Sequence, residues 1–165
     1  MVERNSVTRK NNLGTDLSSV LTPKLVCFLE CSRKKEALEK MIDCLCANSE
    51  IRNRNELAEG IFHREELMST GIGMGVAVPH VRLASIKKPV MCAAVCRNPI
   101  TDYESLDGAP VRLIFMIVAG KDQHAQYLRL LSSISSKLKN EKLRNALISA
   151  SDAETFCQIL SGKDK

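Results

Sequence analysis

Tryptophan is absent, and only six aromatic side chains occur among 165 residues: Phe28, Phe62, Tyr103, Phe115, Tyr127 and Phe156. A core built from this chain rests on Leu, Ile, Val, Met and Ala. The aromatic platforms on which single-stranded nucleic acid stacks are lacking. No apolar run approaches the roughly 20 residues of a membrane span. The longest clean one, residues 113–119, falls far short. The N-terminus has no apolar stretch of the secretory kind, so a cytoplasmic location without membrane insertion is expected. Strong charge is missing too. The formal net charge is +5, part of it at Arg4, Arg9 and Lys10, and no basic cluster is denser than Arg33-Lys34-Lys35. That pattern predicts a solvated surface rather than a nucleic-acid interface.

Cysteine, by contrast, is plentiful. Cys27, Cys31, Cys44, Cys46, Cys92, Cys96 and Cys157 make an odd set of seven without a CxxC motif. If residues 25–30 and 90–97 are strands, the pairs Cys27/Cys31 and Cys92/Cys96 are each separated by about 13 Å. That is too far for one disulfide or one metal ion. Cys44 and Cys46 sit two apart on an expected helix and point to different sides. The reading is of buried, reduced thiols acting as small apolar residues, with no metal site.

At this length a single domain with a self-sufficient core is expected. Residues 1–16 are polar and aperiodic and read as a flexible tail, leaving residues 17–165 as the domain. Residues 17–21 suit one helical turn, closed by Thr22-Pro23. Residues 25–29 read as a strand, after which Ser32 is placed to cap a helix with Leu38, Met41, Ile42 and Leu45 on one face. Asn53 and Glu56 form a capping box for a second helix. Glycines 71, 73 and 75 forbid a regular helix and lead into a short strand at 76–78, stopped by Pro79. Two buried strands follow at 90–96 and 111–118, joined through Asn98-Pro99 and Asp107-Gly108. From Asp122 onward the pattern is helical, with new starts at Asn140-Glu141 and Ser151-Asp152. The fold class is therefore α/β: one mixed sheet of about five strands with helices on both faces.

Chemistry concentrates at His80. The residue follows a glycine-rich segment and a strand ending in proline, which places it at a strand end on an accessible rim. With an ordinary pKa near 6.5, most of a histidine is neutral at pH 7. One ring nitrogen can then attack phosphorus while the other donates its proton to a fixed acceptor. Phosphoryl transfer needs little beyond positioning and charge neutralisation. Gly73 and Gly75 would let backbone N–H groups approach the phosphoryl oxygens.

The run from Arg64 through Ser69-Thr70-Gly71-Ile72-Gly73-Met74-Gly75-Val76-Ala77-Val78-Pro79-His80 resembles the signature of the type-2 enzyme IIA phosphocarriers. These are the fructose, mannitol and nitrogen-regulatory proteins of the bacterial phosphoenolpyruvate-dependent phosphotransferase system. The resemblance continues through residues 106–111 and 127–131 and covers roughly residues 20–160. It implies that His80 accepts a phosphoryl group, as tele-phosphohistidine, from an HPr-type phosphocarrier protein. It also implies that Arg64 stabilises that group, since a guanidinium fork neutralises two oxygens at once. Ser69 and Thr70 either donate hydroxyls to the phosphoryl group or close a turn on their own backbone. No cofactor and no metal are implied.

Two positions depart from the family. Where the family places a second histidine, this chain has Tyr127, with His124 one helical turn earlier. Either His124 reaches the same neighbourhood, or Tyr127 supplies an O–H donor, or the auxiliary role is absent. Tyr127 is expected to line the pocket. Met74 stands where many relatives carry asparagine, and His63 reads as a surface residue. The residues at 34–39 and 98–111 are most similar to the nitrogen-regulatory branch. The expected function is that of a regulatory phosphorylation-state reporter acting on an unidentified partner. Two alternatives stand beside it: a sugar-specific component that passes phosphate to a transporter cysteine domain, and a binding module that keeps the fold without phosphate transfer.

Overall fold

The computed structural model describes Leu17 and residues 20–162. The expected tail at residues 1–16 lies outside the described residues. Leu17 and Leu21 are buried, and the Leu21 amide bonds the Leu17 carbonyl at 2.9 Å.

Six strands form one mixed sheet: β1 (Val26–Leu29), β2 (Gly71–Gly73), β3 (Val76–Ala77), β4 (His80–Leu83), β5 (Val90–Ile100) and β6 (Val111–Gly120). The order is β1-β5-β6-β3-β2, with β4 also paired to β6. β5 and β6 are antiparallel, whereas β1 on β5 and both β3 and β4 on β6 are parallel. Among the described residues five α-helices cover the sheet: α1 (Lys34–Leu45), α2 (Arg54–Leu67), α3 (His124–Lys137), α4 (Glu141–Ile148) and α5 (Ala153–Ser161).

Both faces are covered, and the alternation of side chains along β5 shows how. Cys92 faces α1, its thiol donating to the Met41 carbonyl at 3.6 Å. Its neighbour Ala93 pairs with Phe115, whose ring meets Phe156 of α5 at 6.1 Å on the other face. Residues 90–96 are therefore buried without interruption, the mark of a strand enclosed on both sides.

The strands exceed their expected bounds. β5 runs on to Ile100, through the segment read as a connection. Its pairing with β6 breaks between Val95 and Ile100, so Pro99, which has no N–H to give, interrupts no regular ladder. His80 opens a further strand, β4, instead of ending one. The helix starts read at Asn53, Asn140 and Ser151-Asp152 are present, with Asn53, Asn140 and, one residue later than a capping box from Ser151 to Glu154 would put it, Asp152 accepting from the amides of Glu56, Leu143 and Thr155. Ser32 is not a cap. The N-cap position of α1 is Arg33, which makes no side-chain cap, and the Lys34 amide is accepted by Asp102 at 2.8 Å. The cap comes from a distant loop, which no local spacing reveals.

All seven cysteines are free thiols. Only Cys92 and Cys96 are fully buried; the other five are half-buried. Cys27 and Cys92 share the sheet face that α1 covers, and Cys44 lies on α1. Burial and the neighbouring thiols push the Cys27 and Cys92 thiols up. Among the described residues, no group of three or more His, Cys, Asp and Glu side chains has metal-binding geometry. Nor is any helix there long and apolar enough to cross a membrane.

Candidate functional site

His80 is the first residue of β4, an edge strand in parallel register with the C-terminal half of β6, His80 opposite Ile117. Strand alternation sends His80 and Arg82 to one face and Val81 and Leu83 to the other. On the second face α2 packs very closely. A Cβ added at Gly60 would lie 2.9 Å from Val81 Cγ2 and 3.3 Å from Leu83 Cδ2. A glycine inside a helix normally costs stability, and here it is the only residue small enough for that approach. The close packing brings the last turn of α2, with Arg64, alongside the start of β4.

The imidazole is half-buried, and its Nδ1 lies 2.6 Å from the Val78 carbonyl oxygen. A carbonyl only accepts, so Nδ1 carries the proton and Nε2 carries the free lone pair. Desolvation, reinforced by the Arg64 charge, lowers the His80 pKa from its ordinary 6.5, against the opposing pull of the Val78 bond. The ring is therefore a neutral nucleophile with one tautomer fixed by the backbone two residues upstream.

An open cavity of about 630 Å³ adjoins the ring, walled by Arg64, Arg82, Lys121, Tyr127 and the rim residue His63. The Tyr127 ring sits edge-on to His80, centroids 5.5 Å apart. Arg64 is tethered through Nη1 to the Met68 carbonyl at 2.8 Å. The cavity thus sets an unprotonated ring nitrogen beside Arg64, Arg82 and Lys121, which outnumber the one carboxylate of the lining, Glu56, an arrangement suited to an anionic electrophile.

Of the residues singled out in the sequence, His80, Arg64 and Tyr127 come together. His124 does not. It is exposed at the first position of α3 and does not line the cavity. His63, read as merely superficial, is exposed but lies on the cavity rim. The four residues expected to bind phosphate are elsewhere. Ser69 donates to the Glu104 carbonyl at 2.5 Å. Thr70 is buried, its hydroxyl donating to Glu65. Gly73 and Gly75 adopt positive φ in the β2–β3 turn, where Asp107 accepts from the Met74 amide at 2.8 Å. Five residues of largely extended chain separate Gly75 from His80, roughly 16 Å, so these glycines shape the turn and do not cradle a ligand at the imidazole. Arg82 and Lys121 were missed. The alternation of His80 and Arg82 was the available signal for the first, while Lys121 arrives only through the β6–α3 connection.

Behind Arg64, the next residue anchors the site. Glu65 is only 8% exposed and accepts from Lys34 Nζ at 3.0 Å, from the Thr70 amide at 3.3 Å and from the Thr70 hydroxyl. The Tyr103 hydroxyl lies 2.7 Å from Thr70 Oγ1 and 3.2 Å from Glu65 Oε2. Lys34 Nζ caps the Tyr103 ring at 4.5 Å. A buried carboxylate is tolerable only when paired and hydrogen-bonded, and this one is both.

Comparison with known proteins places this geometry in context. The sequence profile of the family described as phosphoenolpyruvate-dependent sugar phosphotransferase system, EIIA 2, matches residues 19–163. The fructose-specific EIIABC component of Bacillus subtilis is 34% identical over 92% of this chain, which spans 23% of that relative's length. A nitrogen regulatory protein of Pseudomonas aeruginosa is 32% identical over 87% of the chain and 94% of its own. Among solved structures, the nitrogen regulatory protein IIA-Ntr of Neisseria meningitidis superposes with a TM-score of 0.81 at 30% identity, covering 87% of this chain and 98% of that one.

Proposed function

The chain belongs to the EIIA 2 family of the phosphoenolpyruvate-dependent sugar phosphotransferase system, and from that premise we propose that it carries a phosphoryl group on Nε2 of His80. The observation that carries the proposal is the Nδ1–Val78 bond, which leaves Nε2 as the lone-pair nitrogen beside a cationic cavity. The donor is an HPr-type phosphohistidine protein. As the His80 Nε2–P bond forms, the donor's N–P bond breaks and its electron pair stays on the donor ring. The proton of His80 stays on Nδ1, donated to the Val78 carbonyl throughout, and this hydrogen bond strengthens as positive charge develops on the imidazole. Arg64 neutralises phosphoryl oxygens once it leaves the Met68 carbonyl.

The phosphoryl group adds close to two negative charges to the cavity. That change is a sufficient signal for a partner, and a regulatory phosphorylation-state reporter in the cytoplasm is the reading the likeness to IIA-Ntr favours. The fructose-specific relative supports a second reading, delivery of the phosphoryl group to a transporter cysteine domain.

Incubation with phosphoenolpyruvate, the first enzyme of the system and HPr tests the carrier. A mass gain of one phosphate that vanishes in His80→Ala is expected. No gain in the unaltered protein would leave a binding module that has lost transfer. Rapid onward transfer to a cysteine domain, followed by sugar phosphorylation, would select the second reading over the first.

A further inference from the structure

Arg82 has no carboxylate partner among the described residues; its one hydrogen bond there is to the neutral Lys121 carbonyl, at 3.3 Å. Arg54, paired with Asp43, is the exception among the described arginines, so it is the position of Arg82 rather than its unpaired state that singles it out. The Arg82 guanidinium lies over the Tyr127 ring, its Cζ 5.7 Å from the ring centroid. The same ring stands 5.5 Å from that of His80. Residues 80 and 82 project from one face of β4, two positions apart, a spacing of about 7 Å. Arg64 lines the same cavity from α2, so the cavity beside the imidazole receives one guanidinium from the helix and one from the strand.

We infer that Arg82 is a second catalytic cation, which contacts the phosphoryl oxygens on His80 Nε2 while Tyr127 serves as the apolar rest that holds its guanidinium in reach. This rests on the carrier reading of His80. The phosphoryl group in flight presents three equatorial oxygens, and a single fork satisfies two of them. Arg82 supplies the remaining contact without needing a histidine at position 127. Tyrosine fits that position because its flat face supports a guanidinium and its hydroxyl adds no charge. The Arg64 and Arg82 charges both oppose the upward push of burial on the Tyr127 pKa, consistent with the ring lying between them.

Phosphoramidate, a small phosphoryl donor, removes protein docking from the test. The unaltered protein, Arg82→Gln and Arg82→Lys are treated with it, and the phosphohistidine is titrated by ³¹P NMR. Loss of an adjacent cation should raise the phosphoryl pKa in Arg82→Gln by roughly one unit. It should also slow phosphorylation of His80 about tenfold or more. Arg82→Lys should fall between, with all three melting at the same temperature. Identical ³¹P titrations in the unaltered protein and Arg82→Gln would overturn the role of Arg82 even if transfer from HPr were slowed, because that pattern assigns the arginine to partner docking. No phosphorylation of His80 in the unaltered protein, from phosphoramidate or from HPr, would instead overturn the carrier reading on which the role depends.

Discussion

At the scale of single residues, the protonation of His80 sets the chemistry. Its pKa lies below 6.5 because burial and Arg64 disfavour the cation. Phosphoryl acceptance should therefore persist below pH 6.5, and its acid limb should lie lower than that of an exposed histidine. The linkage sign agrees. A histidine held neutral gives its full stabilisation above the unfolded pKa and loses it as pH falls from about 6.5 through the depressed folded value. Arg64→Ala should slow both arrival and departure of the phosphoryl group and raise the His80 pKa, measured by NMR titration; an unchanged pKa would show that the guanidinium does not face the ring. Met74 offers a separate test. It holds φ at +60°, a conformation non-glycine residues adopt at a cost and asparagine tolerates best. Met74→Asn should stabilise the protein by up to about 1 kcal/mol in denaturant titrations, despite losing the Arg144 contact to its sulfur.

Among elements, the contact between α2 and β4 positions His80. Gly60→Val should push Val81 away and cost about 1–3 kcal/mol, with loss of phosphoryl acceptance exceeding the loss of stability because His80 moves with its strand. A variant that folds less well yet transfers normally would separate the packing from the site. These elements also show what the sequence could disclose. Asn53, Asn140 and Asp152 act on amides three residues away, so the helix starts were legible. The Asp102 bond to the Lys34 amide spans 68 residues, and the packing at Gly60 joins a helix to a strand that lay hidden after Pro79. Thr70 belongs with these distant contacts: its hydroxyl, expected either on a phosphoryl group or on its own backbone, bonds Glu65 and Tyr103 instead.

For the molecule as a whole, a two-sided sheet makes stability depend on a few large side chains that seal each face. With so few aromatics, Phe115 and Phe156 are hard to replace, and Phe156→Ala should cost about 3–5 kcal/mol. The chemical-denaturation midpoint should fall with little change in slope, since one cooperative core is weakened and no second unit is exposed. Leu67, Met68, Met74, Leu106 and Leu128 remain outside that core, 37–86% exposed. The Glu65 cluster has a broader effect. It fastens the first residue of α1, the last turn of α2 and the approach to β2 to one buried carboxylate, while the Val78 amide bonds the Thr70 carbonyl at 3.0 Å. Opening the segment that leads to His80 would break the partners of a buried carboxylate. Deuterium should accordingly enter the Thr70 and Val78 amides on the slow timescale of global unfolding, so the loop beside the imidazole is as durable as the sheet it borders.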